Sequence, residues 1–162
     1  MKKLILLVTI LSVSFVNAQA FKGKGDNKFQ VGANFQDNAT GLNVSYDFGV
    51  GENISLGLTS TYALGVDEVL DADFGDRFDI KARFNANLGN VVNIDENFDI
   101  YPGLSVGLKN FGGHLGMRYF FTDGFGIYTE LNTPFAEYND NPTPAEKLHN
   151  QFTVNFGATF NL

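Results

Sequence analysis

Along residues 151–162 the chain alternates without a break between apolar and polar side chains. Phe152, Val154, Phe156, Ala158, Phe160 and Leu162 fall on one side, and Gln151, Thr153, Asn155, Gly157, Thr159 and Asn161 on the other. A period of two held over that length describes a β-strand with two chemically different faces. Residues 77–88 repeat the pattern, with Phe78, Ile80, Ala82, Phe84, Ala86 and Leu88 set against Arg77, Asp79, Lys81, Arg83, Asn85 and Asn87. Carrying the same phase through the chain predicts eight strands, over 28–36, 40–48, 54–64, 77–88, 98–109, 114–121, 125–133 and 151–162. Ser60 interrupts the apolar face of the third, and Pro102, which lacks a ladder donor, weakens the fifth.

These strands span 8 to 12 residues, bracketing the roughly 9 to 11 that a tilted membrane-crossing strand requires. An even number of them returns both chain ends to one side. The expected fold class is therefore all-β: an eight-stranded, antiparallel, up-and-down transmembrane β-barrel, with its apolar set facing lipid and its polar set filling the lumen. Residues 49–53, 89–97 and 122–124 become periplasmic turns, and 37–39, 65–76, 110–113 and 134–150 external loops. Phe48, Phe98, Phe121, Phe125 and Phe160 then gather near the periplasmic strand ends and Phe35, Tyr62, Phe78 and Phe152 near the outer ends, as two aromatic girdles would. The loop 134–150, with Pro142, Pro144, Phe135 and Tyr138, reads equally as a partner-binding loop or a disordered connector.

The N-terminus adds a compartment. Lys2 and Lys3 precede an apolar run over 4–16, and Val16-Asn17-Ala18 fits a small-x-small cleavage site, so residues 1–18 are expected to be a Sec-type signal peptide. Residues 19–27 would follow as a periplasmic N-terminal segment, and 28–162 as the outer-membrane barrel. The chain has no cysteine, which excludes a lipoprotein anchor, disulfides and thiolate metal sites. Without the signal it carries 9 basic and 18 acidic residues, a formal charge of 9 − 18 = −9. That excess argues against nucleic acid as a partner.

The segment Met117-Arg118-Tyr119-Phe120-Phe121-Thr122-Asp123-Gly124-Phe125-Gly126-Ile127-Tyr128-Thr129-Glu130 resembles the penultimate hairpin of small outer-membrane β-barrel proteins of Gram-negative bacteria. This porin-like group includes the OmpA-type and OmpX-type barrels. The resemblance implies insertion by the barrel-assembly machinery, lipid and lipopolysaccharide as surroundings, and a monomer. The C-terminal assembly strand would present Phe156, Phe160 and Leu162, departing from the usual terminal aromatic. No peptidoglycan-binding domain of the OmpA kind is recognised.

Strand phase sends Asp79, Lys81, Arg83, Arg118 and Glu130 into the lumen, where charges need partners. Pairing Phe121 with Phe125 sets Arg118 opposite Tyr128 and diagonal to Glu130, within reach of a long side chain. Arg83 and Glu130 lie at similar depth and are expected to meet across the barrel. The interior network is thus Asp79, Lys81, Arg83, Arg118, Tyr128 and Glu130. Inward glycines 57, 103, 107, 116 and 126 leave room for the guanidinium groups.

An eight-stranded barrel is just wide enough to be filled by its own side chains. The expected role is accordingly non-enzymatic, structural or surface-interacting, with a narrow passive channel for ions or small solutes as the alternative. Catalysis would have to use His114, read as a rim residue, or His149 in the last loop, which offers no serine. Asp71, Asp73 and Asp76 form a weak candidate metal cluster without EF-hand spacing, so no metal or cofactor is expected.

Overall fold

The computed structural model describes residues 19–162, so the expected signal peptide lies outside the described residues. Eight strands close into one barrel in chain order: β1 (Asn27–Gln36), β2 (Ala39–Gly49), β3 (Ile54–Val66), β4 (Phe78–Ala86), β5 (Phe98–Gly107), β6 (Asn110–Phe120), β7 (Phe125–Glu137) and β8 (Thr153–Asn161). Every neighbouring pair is antiparallel, including the seam where β1 meets β8 from Lys28↔Asn161 to Phe35↔Val154. Both ends of the described chain lie at one mouth, called here the terminal end; the other mouth is the distal end.

The two-residue period dictates an inside-out molecule. On β2 the alternation is complete: Asn43, Ser45 and Asp47 are buried while Leu42, Val44, Tyr46 and Phe48 are exposed. Among the described residues, the buried apolar clusters are small and sit at the mouths. Ala20 with Phe120 occupies the terminal end, and Ala39, Ala63 and Leu148 the distal end.

Aromatic rings form a continuous chain around the terminal rim from Phe29 through Phe160, Phe125 and Phe121 to Tyr119, with centroid spacings of 5.6 to 6.2 Å. At the distal rim Phe74 lies between Tyr62 and Phe78, at 5.6 and 5.9 Å.

Pro102 is accommodated because the β4–β5 ladder is short. It runs only from Lys81↔Gly107 to Asn85↔Gly103, so the proline sits just beyond its last pair. Several predicted boundaries move. Arg77 ends a one-turn helix, α1 (Phe74–Arg77), so β4 begins at Phe78. Residues 110–113, read as an external loop, are the start of β6, paired with β5 and β7. β7 runs on to Glu137, four residues past its predicted end. The two extensions share a reason, cross-strand pairing that continues through glycines and polar residues that break the apolar alternation, whereas β4 starts late because the capped turn of α1 takes up Arg77. The long terminal-end connection contains a one-turn helix, α2 (Gly89–Val92), ended by Asn93 in the left-handed region at φ 51°.

Both mouths are covered. At the terminal end Ala20 and Phe21 are buried, with the Ala20 amide donating to Glu96 O at 2.8 Å. At the distal end the residues after β7 fold back across the opening through a 3₁₀ turn, Glu146–His149, that buries Leu148 and His149. This segment forms a strap across the distal mouth.

Candidate functional site in the polar interior

Alternation aims one residue in two into a lumen too narrow for bulk water, so each inward polar group must find its partner across the barrel. Arg83 on β4 is held by acids from two other strands. Its Nε lies 3.0 Å from Asp47 Oδ1 and its Nη2 3.0 Å from Glu130 Oε2. Asn85 Oδ1 accepts from the same Nε at 3.2 Å. The Arg83–Glu130 contact expected from strand depth is present.

Arg118 takes a different acid from the one its hairpin offered. It faces Tyr128 in register, as predicted, but its guanidinium is paired to Asp99 Oδ2 at 2.6 Å and donates to Asn87 Oδ1 at 2.7 Å. Asp99 stands directly opposite Arg118 on β5, a shorter reach than the diagonal to Glu130.

Between the two arginines lies the ring of Tyr101, 5.6 Å from the Arg83 guanidinium carbon and 4.6 Å from that of Arg118. Its hydroxyl accepts from Gln30 Nε2 at 3.1 Å. Tyr128 donates to Asn43 Oδ1 at 3.2 Å. Gly116 makes room for the tyrosine, since a Cβ there would fall 2.1 Å from the Tyr101 ring.

Below this layer Lys28 is fully buried and paired with Asp26, under the rings of Phe21 and Phe120. Above it Asp79 and Lys81 are paired at 3.5 Å, and Lys81 also donates to Asn110 Oδ1 at 2.8 Å. The six interior residues named from sequence thus all point inward, but five of them fall into three separate ion-pair groups and Tyr128 bonds to Asn43 instead.

Asp47, Asp99, Tyr101 and Gln30 were missed. The phase of β1, β2 and β5 carries them, since each alternates with outward apolar neighbours such as Phe48, Phe98 and Ile100. His114 was misplaced. It is buried inside the barrel, with Nε2 2.7 Å from Asn85 Oδ1, because β6 begins four residues earlier than its apolar pattern.

The layer of Arg83, Tyr101, Arg118 and Tyr128 is at most 3% exposed, so side chains fill the lumen there. Distal to it lies a polar chamber of about 30 Å³, lined by Asn34, Asp79, Lys81, Asn132 and His149 among others. That volume holds about one water. Asn34 Oδ1, Asp79 Oδ2, Asn132 Nδ2 and His149 Nε2 are buried there without a protein hydrogen-bond partner.

The acidic loop does not converge on a cation. The Asp73 amide donates to Asp76 Oδ2 at 3.1 Å as part of the capping of α1, and among the described residues no three His, Cys, Asp or Glu side chains come together as ligands. Arg77 donates to the Ala72 carbonyl at 3.0 Å. Of the C-terminal strand, Phe156 and Leu162 are exposed on the outer wall and Phe160 joins the terminal ring chain.

An outer wall of apolar side chains around a charge-paired, filled lumen defines the class: a small eight-stranded barrel built like those that cross membranes. Within that class, the chain belongs to a family of unknown function, DUF6646, whose model matches residues 11–162. It is similar in fold to a de novo designed transmembrane β-barrel, with a TM-score of 0.59 and 9% identity over 87% of this chain and 98% of the other. It is likewise similar to the N-terminal β-barrel domain of Pseudomonas aeruginosa OprF, with a TM-score of 0.57 and 10% identity over 87% of this chain and all of that domain. No curated protein matches it.

Proposed function

We propose that the protein is exported and inserted in the outer membrane as a monomeric, non-enzymatic barrel that serves a structural or surface-interaction role through its distal loops. The observation that carries this reading is the pairing of a wet-free middle layer with an apolar outer wall. Leu42, Leu58 and Val106 are 50, 56 and 53% exposed, whereas Arg83 and Arg118 inside are 3% and 1%. Water outside would penalise the first set, and a conducting lumen would wet the second.

Both histidines lie inside: His114 is engaged by Asn85, and His149 lines the distal chamber. The alternative of a narrow channel would require the Arg83–Tyr101–Arg118 layer to part. Lipid and lipopolysaccharide are the expected surroundings, and the barrel-assembly machinery would receive the β8 face of Phe156, Phe160 and Leu162.

Two measurements test the reading together. Cell fractionation should recover the protein in the outer membrane, with a folded form that migrates differently from the heated one; release by osmotic shock would overturn insertion. Purified barrel in planar bilayers should give no discrete conductance steps, and steps above background would replace the filled-barrel reading with the channel.

A further inference from the structure

The distal strap is held by one localised set of contacts. Leu148 fills a socket of Ala39 and Ala63, flanked by Val66, Leu70 and Ala72. Gln36 Nε2 donates to Leu148 O at 2.6 Å and Asn110 Nδ2 to His149 O at 2.7 Å. Gln151 Nε2 donates to Asp37 O at 2.8 Å. None of these bonds joins the strap to the ion pairs of the middle layer, so the strap can lift while the barrel below stays closed.

His149 is the exception to this apolar and amide fastening. The residue is 6% exposed, and its ring lines the chamber and leaves Nε2 unpartnered. The charged groups that face it are Asp79 and Lys81 from β4 and Lys109 from the β5–β6 turn, and the Asp76 backbone carbonyl at the end of α1 accepts from the ring. Asp79 is already paired with Lys81, and Lys109 donates to the carbonyls of Gly75 and Asp76 at 2.7 and 3.3 Å. A charged imidazole would therefore face a chamber that buries it and whose one carboxylate, Asp79, is already paired with Lys81, while the Lys109 ammonium outside the lining repels it. Outside, the rim carries Asp67, Glu68, Asp71, Asp73 and Asp140, where the same charge would be hydrated and attracted.

We propose that residues 145–151 form an acid-released lid: neutral His149 lets the strap close over the distal chamber, and its protonation lifts the strap and opens the chamber to the outside. Burial is the main cause that lowers the His149 pKa from 6.5 to about 4 in the closed state. The sign follows from linkage. The group binds its proton more weakly when closed, so closure is fully favoured above about pH 6.5 and is lost progressively as pH falls toward 4. The closed-to-open ratio should therefore fall steadily between pH 8 and pH 4.5.

The absence of native cysteine allows two spin labels to be placed cleanly, at Lys147→Cys on the strap and Glu52→Cys in a terminal-end turn. Double electron–electron resonance on the folded full chain should give one narrow distance at pH 8 and a second, longer and broader population at pH 4.5, with the circular dichroism of the strands unchanged. His149→Gln, neutral at both pH values, should keep the narrow distance throughout. A single unchanged distance in the wild type at pH 4.5 would overturn the lid. So would an equal acid response in His149→Gln, or loss of strand signal together with the strap.

Discussion

Removing Arg83 tests whether the lumen is held by charge pairing or merely filled. Its guanidinium lies 3.0 Å from both Asp47 and Glu130, and all three side chains are 1% exposed. Arg83→Ala would leave two carboxylates facing each other with no cation and no water. Breaking one buried pair costs about 3–5 kcal/mol, and with two acids stranded the loss should reach the upper part of that range. A triple variant, Arg83→Met with Asp47→Asn and Glu130→Gln, removes every charge of the group at similar volume. Replacing a whole buried ion-pair group in this way is often neutral or stabilising, by about 1–4 kcal/mol. Urea titration of the refolded barrel in detergent, followed by far-ultraviolet circular dichroism because the chain has no tryptophan, measures both. A loss below about 1 kcal/mol for Arg83→Ala would refute the reasoning, since that is the range of exposed pairs. A triple variant as weak as the single one would refute it too, because the penalty would then come from lost packing.

Two further outcomes follow from geometry. Gly116→Ala would place a Cβ 2.1 Å from the Tyr101 ring, which is wedged between the two arginines. Overpacking of this kind should cost about 1–3 kcal/mol in the same titration, and Gly116→Ala paired with Tyr101→Leu should recover part of it. Leu104→Arg adds a charge to the outer wall, where Leu104 is 46% exposed. In phospholipid vesicles it should lower stability by about 2–4 kcal/mol if that position lies at the bilayer midplane; no loss would argue that water already bathes this wall.

The fold was legible because barrel closure depends on one repeated local signal. A single two-residue phase, fixed by residues 151–162, correctly turned Arg83 and Glu130 toward each other from strands far apart in sequence. What that signal missed has identifiable causes. Asp99 is not legible as the partner of Arg118 because local spacing connects Arg118 only to its own β6–β7 hairpin, while the acid comes from β5 on the other side. His114 was read as a rim residue because Gly112, Gly113 and Gly116 erase the alternation around it, although backbone pairing continues through them. The strap was hidden for another reason. Its anchors, Gln36, Ala39, Ala63 and Asn110, are scattered over four strands, and no local pattern in 134–150 specifies such contacts.

The seam between β1 and β8 has a consequence for assembly. Seven of the eight ladders join strands that are consecutive in the chain, and each can form as a hairpin with little loop entropy. The eighth joins Lys28 to Asn161 and Phe29 to Phe160, nearly the full length of the described chain. Contacts of such wide sequence separation form late, because their closure cost must be met before they return any stabilisation. The open sheet that precedes closure would present the free edges of β1 and β8, each with unpaired backbone groups. The Phe29–Phe160 ring contact, at 6.2 Å across the join, is therefore a marker of the final zippering event, and a fluorinated phenylalanine at either position would time it apart from hairpin formation.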